Sequence, residues 1–551
     1  MKKSDNPYDQ LTDKRYESVR KRLGLKKGKK AKKKFIIIQI DSLSHEILEK
    51  FFAKGSCKFL HSLIKKQGYN FQKWNCGVPS GTPHVQAGIM YGDNSMIPAF
   101  RFVDKKNRKQ ISFGNPTHVR YMEEKHFSKK KGILEGGASY ANHWSGGAAH
   151  SIVTMSTMTK KKRLKRIKEW ELWLFLLLYP RSVLRVLYYS TTELLIELGE
   201  LITYPFIKLF RPKRAIFGFW IPFKRILMNA IGTELVILGV ITDIKRDLPK
   251  IYVNFINYDD VAHLRGPNSA AAYFMLRATD RRIRRICRKA KDDYDIYVIS
   301  DHGMVDAMTF KSLNRMTLAQ FIEKCARVES FQLSSAFEGR LTMIGMMMRK
   351  MMDFLKYVSS PLRWIGNSFA RGVIKMLKPR KYRFIWDRNE RIYVLDSCCM
   401  AGVYFSVSKE RMDKREIDRK YPKLIDKLIK NRGIGIIMVK KKDDILLIGK
   451  GGTITIKPKG IKREGRNFLK QYGNEDILLR QLRDYSKLKN VGDLVLFGNY
   501  VDGLMVSFTD HVGAHGGIGG NMTAPFFISK EKHDLSKVTN ARELHKIFRD
   551  Y

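Results

Sequence analysis

Seven side chains in this sequence have types and spacings that could do chemistry together: Asp41, Thr82, Asp259, His263, Asp301, His302 and His515. Three apolar runs, 35-FIIIQI-40, 250-KIYVNFINY-258 and 295-DIYVIS-300, are each followed at once by an aspartate, Asp41, Asp259 and Asp301. A histidine accompanies two of them, directly at His302 and four residues on at His263. One aspartate after a strand is an ordinary helix cap. Three of them, two with a histidine, form a ligand pattern. Carboxylate oxygen and imidazole nitrogen together suit zinc most easily, with manganese the alternative. His515 stands in 514-AHGG-517, on a stretch too rich in glycine to be packed core.

Two groups of ligands imply two ions. Such a pair suits in-line displacement at phosphorus, one ion activating the nucleophile and the other stabilising the leaving oxygen. The nucleophile lies in 79-PSGTPHVQAGIMYG-92, which holds no lysine, arginine, aspartate or glutamate in a chain that is 28% charged. Read alone, this stretch is a loop with a threonine N-cap at the positive end of a helix, where anions are stabilised. A threonine hydroxyl is too weak an acid to attack at neutral pH. Bound to a dication, Thr82 becomes a competent nucleophile, and the product is a covalent phospho-enzyme that water breaks.

The elements that position these groups follow an α/β rhythm, with the ligand crevice at the carboxyl ends of the strands. Helices are expected over 44–55, with Ser44 as N-cap and Gly55 as stop, over 59–68, over 233–247 and over 268–290. Residues 93–160 read as irregular, and the small-residue tract 136–157 as a loop system. Residues 390–510 read as mixed α/β, with strands at 401–407, 434–439 and 444–449. At 551 residues the chain can form one large α/β domain with insertions, or two domains. The expected division is a basic disordered arm over 1–34, catalytic core over 35–159, 232–342 and 387–551, a helical insertion over 160–231, and an apolar-basic segment over 343–386.

The formal charge of +51 implies a polyanionic partner: an anionic membrane surface, nucleic acid or an acidic substrate. The insertion mixes leucine, tryptophan and tyrosine with arginine and lysine, and Pro180 and Pro205 break it. No window in it reaches the length of a spanning helix. Basic clusters 160–168 and 211–214 bracket it, so it reads as interfacial on anionic lipid rather than as an oligomer contact. No aromatic platform for RNA stands out, so nucleic acid is not favoured. The six cysteines form no C-x-x-C pair and read as reduced, mostly buried thiols. The first apolar run is too short for a signal peptide, so the expected location is cytoplasmic, on the inner face of a membrane.

The order Asp41, 79-PSGT-82, D259-x-x-x-H263-x-x-G-P, D301-H302-G-M and H515-G resembles the alkaline phosphatase superfamily. It is most similar to the type I phosphodiesterase/nucleotide pyrophosphatase branch, in a less characterised microbial subgroup. The resemblance covers residues 35–92, 250–305 and 505–529. It implies a three-layer α/β/α core with a mixed, mostly parallel sheet, and a phosphate-ester substrate. It also implies that Asp41, Thr82, Asp301 and His302 surround one metal and that Asp259, His263 and His515 hold the other. Tyr258 replaces the family's proline and Ala262 its glycine, and Asp260 lies beside the ligand Asp259. The asparagine that assists at the phosphoryl oxygen has Asn142 and Asn94 as candidates. The rivals are a phosphomonoesterase or phosphotransferase on the same fold, and a non-catalytic basic protein that binds membrane or nucleic acid.

Overall fold

The computed structural model describes residues 27–28, 31, 33–159, 180–210, 225–332, 364, 367–368, 371–372 and 391–551. Most of the basic arm, both basic clusters that bracket the insertion and nearly all of 343–386 lie outside the described residues.

Seven described strands form the central sheet: β1 (Phe35–Ile40), β2 (Asn70–Lys73), β3 (Ala138–Tyr140), β4 (His150–Ile152), β5 (Lys250–Phe255), β6 (Asp295–Ile299) and β7 (Phe526–Ser529). Their order is β2-β7-β6-β1-β5-β3-β4, parallel from β6 to β4, with β7 antiparallel to both its neighbours. Phe35 pairs with Lys250 on one side and Asp295 on the other, so β1, β5 and β6 run in step. Their carboxyl ends therefore emerge at one edge of the sheet.

The helices used below are α1 (His45–Ala53), α2 (Lys58–Gln67), α3 (Thr82–Tyr91), α4 (Pro180–Phe210), α5 (Thr233–Lys245), α6 (Asn257–Arg265) and α7 (Ala270–Ala290). Strand β1 is buried on both faces, which is why its sequence is a continuous apolar run rather than an alternating one. Ile36, Ile38 and Ile40 pack with α1, α2, α5, α6 and α7, while Phe35 and Ile37 pack with α3 and the C-terminal residues Leu544 and Phe548. The result is the three-layer α/β/α core with a mixed, mostly parallel sheet. Ser44 caps α1 by accepting from the Ile47 amide, and Gly68 ends α2 in a left-handed conformation.

A second sheet of eight described strands starts at Ser330–Gln332 and continues through Ile392–Ser397 and Met400–Phe405 to its far edge at Ile461–Gly465. The tight turn between its second and third strands carries Cys398 toward the crevice of the first sheet.

Several expectations change. The tract 136–157 supplies β3 and β4, because strands of three residues are too short to show a period. Residues 93–160 also hold a hairpin, Arg101–Asp104 with Lys109–Ser112, and a helix, Pro116–His126. Strand β5 ends at Phe255, so Asp259 lies in the first turn of α6 and not at a strand end. Pro205 sits inside α4 and so does not break the insertion there, while the residues before Pro180 lie outside the described ones. Residues Ile226–Lys245 form one helical run that is long and apolar enough to cross a membrane, yet most of it is buried in the protein. It is a core helix of the sandwich.

Candidate metal centre

Asp41 leaves β1 with its amide donating to the Phe255 carbonyl of β5 (3.1 Å), which fixes the carboxyl between the two strand ends. Thr82 is the first residue of α3, with Gly81 as the extended N-cap. Its Oγ1 lies 3.2 Å from Asp41 Oδ1 and 3.2 Å from His302 Nε2. Asp301 and His302 follow β6 by two and three residues, and both are fully buried. Asp259 and His263 face each other one turn apart on α6, with Oδ1 and Nε2 3.2 Å apart. His515 Nε2 stands 3.2 Å from His263 Nε2 and 3.7 Å from Asp259 Oδ1. The seven sequence-expected side chains thus converge, from segments more than 400 residues apart in the chain.

The tautomers follow from the hydrogen bonds. A carbonyl oxygen can only accept, so an imidazole nitrogen beside it must carry the proton. His263 Nδ1 donates to the Gly513 carbonyl (2.8 Å), His515 Nδ1 to that of Ser80 (2.9 Å) and His302 Nδ1 to that of Gly303 (3.1 Å). In the neutral rings every Nε2 therefore points a lone pair into the site. Burial lowers His302 to about 4 and His515 to about 3, which keeps both neutral. Backbone carbonyls behind the ring are the usual device that orients a metal-binding histidine.

This arrangement makes acceptor face acceptor. His263 Nε2, His515 Nε2 and Asp259 Oδ1 crowd together within 3.7 Å of one another, and with both rings in the neutral tautomer no hydrogen would lie between them. Asp301 Oδ2 is buried without a hydrogen-bond partner and lies 3.2 Å from His302 Nε2. Burial first, and then the neighbouring carboxylates, push Asp41 well above the usual range, and burial raises Asp301 to about 6. Burial also opposes charge on Asp259, but His263, His515 and the Ser42 hydroxyl outweigh it and hold that carboxyl well below the usual range. Two dications would resolve these conflicts, and the residues that could hold them are Asp41, Thr82, Asp301 and His302 for one and Asp259, His263 and His515 for the other. The donor types suit a divalent ion with mixed nitrogen and oxygen ligands.

Four contributors carry no sequence motif. Ser42 donates from Oγ to Asp259 Oδ1 (2.5 Å), stands 3.3 Å from His302 Nδ1, and offers its amide to Asp301 Oδ1 (3.2 Å). It thereby ties the two ligand groups together, from a left-handed backbone (φ 63°). Asn254 donates to Asp41 Oδ2 (2.8 Å). The His511 ring lies 4.2 Å from that of His263. Cys398 completes a cluster with His263 and His515 whose ligand atoms all lie within 4.8 Å of one another. Burial pushes its thiol up to about 11. For Ser42 the one available signal is its place directly after Asp41 at a strand end.

The asparagine candidates do not reach the site. Asn142 is buried between Gln86, Ser139 and the Tyr252 carbonyl, and Asn94 donates to Asn540. Neither lines the cavity of about 230 Å³ that opens beside Thr82. That cavity is walled by apolar side chains, among them Ile97, Phe100, Phe113, Met155 and Met228.

The helix α4 lies close to this cavity and is turned inside out. Leu184, Leu187, Leu194, Leu195, Leu198, Leu201, Ile202 and Phe206 repeat at helical spacing and are about half exposed or more. Its carboxylates face inward instead. Glu193 and Glu197 pair with buried Arg225, and Glu197 and Glu200 with Arg265 at the end of α6.

The family model for type I phosphodiesterase / nucleotide pyrophosphatase matches residues 35–345. No curated protein sequence matches the chain. Among solved structures, it is similar to phosphonoacetate hydrolase from Sinorhizobium meliloti 1021 in complex with phosphonoformate, at 11% identity and a TM-score of 0.46, covering 94% of this chain and 95% of that one. It is also similar to murine ectonucleotide pyrophosphatase / phosphodiesterase 5 in complex with AMP, at 10% identity and a TM-score of 0.44, with 94% of each chain covered.

Proposed function

The chain belongs to the type I phosphodiesterase / nucleotide pyrophosphatase family and is a hydrolase of phosphoric-ester bonds, and on that premise we propose that it cleaves a phosphodiester or pyrophosphate with Thr82 as nucleophile. The family is generally dependent on divalent metal, and our reading gives this chain two ions, zinc by preference. What supports the reading is the convergence of carboxylate oxygens and imidazole Nε2 atoms around Thr82, Asp259 and Asp301.

When bound, the two dications supply Lewis acidity that lowers the pKa of the Thr82 hydroxyl and neutralises phosphoryl charge. Asp41 Oδ1, 3.2 Å from Oγ1, aims the hydroxyl. The N-terminus of α3 places positive dipole beside the phosphoryl oxygens. Attack forms the Oγ1–P bond and expels the alcohol or phosphate leaving group. Water then cleaves that bond and returns Thr82 to its hydroxyl form. The apolar cavity beside Thr82 takes the rest of the ester, which favours an aromatic or aliphatic group there.

The test is Thr82→Ala. It should abolish turnover of an aryl phosphodiester while about two metal ions per chain remain bound. Unchanged turnover would remove Thr82 from its role. We further propose that the protein works at the cytoplasmic face of a membrane. The outward leucine stripe of α4 supports this, together with the net charge of +51. Flotation with anionic vesicles tests it, and failure to float contradicts it.

A further inference from the structure

Cys398 sits at the tip of the turn between Ile392–Ser397 and Met400–Phe405, the position where the second sheet reaches the crevice of the first. Its backbone is left-handed, with φ 57°. Two hydrogen bonds pin the turn to the loop that carries His515. The Phe508 amide donates to the Cys398 carbonyl (2.7 Å), and the Cys399 amide donates to the His515 carbonyl (3.0 Å). The thiol therefore moves as one body with His515. It lines the same cavity as Thr82 and His263.

The ligand atoms of Cys398, His263 and His515 lie within 4.8 Å of one another. Zinc–sulfur and zinc–nitrogen bonds of about 2.3 and ~2.0 Å put the two donors about 3.5–4 Å apart on one ion. The 4.8 Å limit on the cluster lies about 1 Å beyond that spacing. The two Nε2 atoms already stand 3.2 Å apart, close to the spacing that two imidazoles take on one ion at bonds of about 2.0 Å.

We infer that Cys398 is a further protein ligand of the ion held by Asp259, His263 and His515, binding as thiolate with its proton released to solvent. The inference rests on the two-metal reading of the site. A soft thiolate favours zinc over manganese or magnesium, so the second centre would be zinc-selective while the Asp41, Asp301 and His302 centre, with harder donors, would be permissive.

Cobalt(II) reports sulfur ligation directly. Protein stripped of metal and reloaded with cobalt should show a thiolate-to-cobalt charge-transfer band in the near ultraviolet. The band should vanish in Cys398→Ser and persist in Cys287→Ser, a cysteine on α7 away from the site. Bound cobalt without the band, or a band that survives in Cys398→Ser, overturns the inference. Failure of the wild-type protein to take up cobalt overturns the two-metal reading itself. Should Cys398→Ser not fold, zinc X-ray absorption on the wild type decides the matter. A sulfur shell at about 2.3 Å supports the inference, and a shell of nitrogen and oxygen alone refutes it.

Discussion

Removing one hydroxyl at Ser42 should loosen the metal centre without touching a ligand. Ser42 Oγ donates to Asp259 Oδ1 at 2.5 Å and is among the groups that hold that carboxyl ionised. A hydrogen bond to a charged acceptor contributes about 1.5–3 kcal/mol. At ~1.4 kcal/mol per tenfold, its loss lowers affinity for the ion at Asp259 by about 10- to 100-fold, the range typical of groups that orient metal ligands. Ser42→Ala and Ser42→Gly both delete the hydroxyl. They differ in backbone, since φ is 63° at this residue and glycine adopts it without strain. Chelator competition measures affinity, and thermal melting of the metal-free protein measures the fold. Both variants should lose affinity alike, with Ser42→Gly the more stable of the two. Affinity within about twofold of wild type in both variants would refute the reasoning. So would full recovery of affinity in Ser42→Gly, which would assign the effect to backbone strain.

Two more predictions follow from charge and from surface. Burial lowers His84, His143 and His302 to about 4 and His515 to about 3, from an ordinary value of 6.5. Below pH 6.5 the unfolded chain binds protons at these four positions that the folded chain refuses. Asp41 and Asp301, raised by burial, act in the opposite sense and hold up to two protons in the folded state. His45, His118, His126, His533 and His545 are lowered by burial too, so the histidines outnumber the two carboxyls and the metal-free protein should lose stability as pH falls from 6.5 towards 4. Urea midpoints of chelated protein across that window check it, and midpoints that rise on acidification contradict it. On α4, the pair Leu195→Gln and Ile202→Gln removes two outward side chains that are 61% and 64% exposed. Each deletes about 1.5–3 kcal/mol of apolar transfer, so flotation with anionic vesicles should fall by more than about tenfold at unchanged metal content. Flotation equal to wild type would assign the stripe to another partner.

The site was legible in sequence where ligands sit on regular elements. Asp41 and Asp301 follow long apolar strands, and His263 lies one helical turn after Asp259, so local pattern carries both. His515 could be read only from its glycine-rich setting, and the fold then carries it to within 3.2 Å of His263. Cys398 gave no signal, because its role depends on a turn in the second sheet and on backbone bonds to residues more than 100 positions away. The short strands β3 and β4 read as loop because three residues are too few to show a period. Tertiary packing made the remaining corrections. The helix expected over 233–247 is α5, whose apolar run is buried in the core. The inward carboxylates of α4 are accounted for only by Arg225 and Arg265 opposite them, which no local pattern shows.

The most direct test of the central claim is to look for phosphate on Thr82. Metal-loaded protein mixed with excess aryl phosphodiester and quenched in acid within one turnover should carry one phosphoryl adduct. Fragment mass spectrometry should place it at Thr82, in the segment 79–92, and the adduct should be missing from Thr82→Ala. Turnover of the wild type with an adduct on another residue, or with direct transfer to water and no adduct under any quench, would contradict the account.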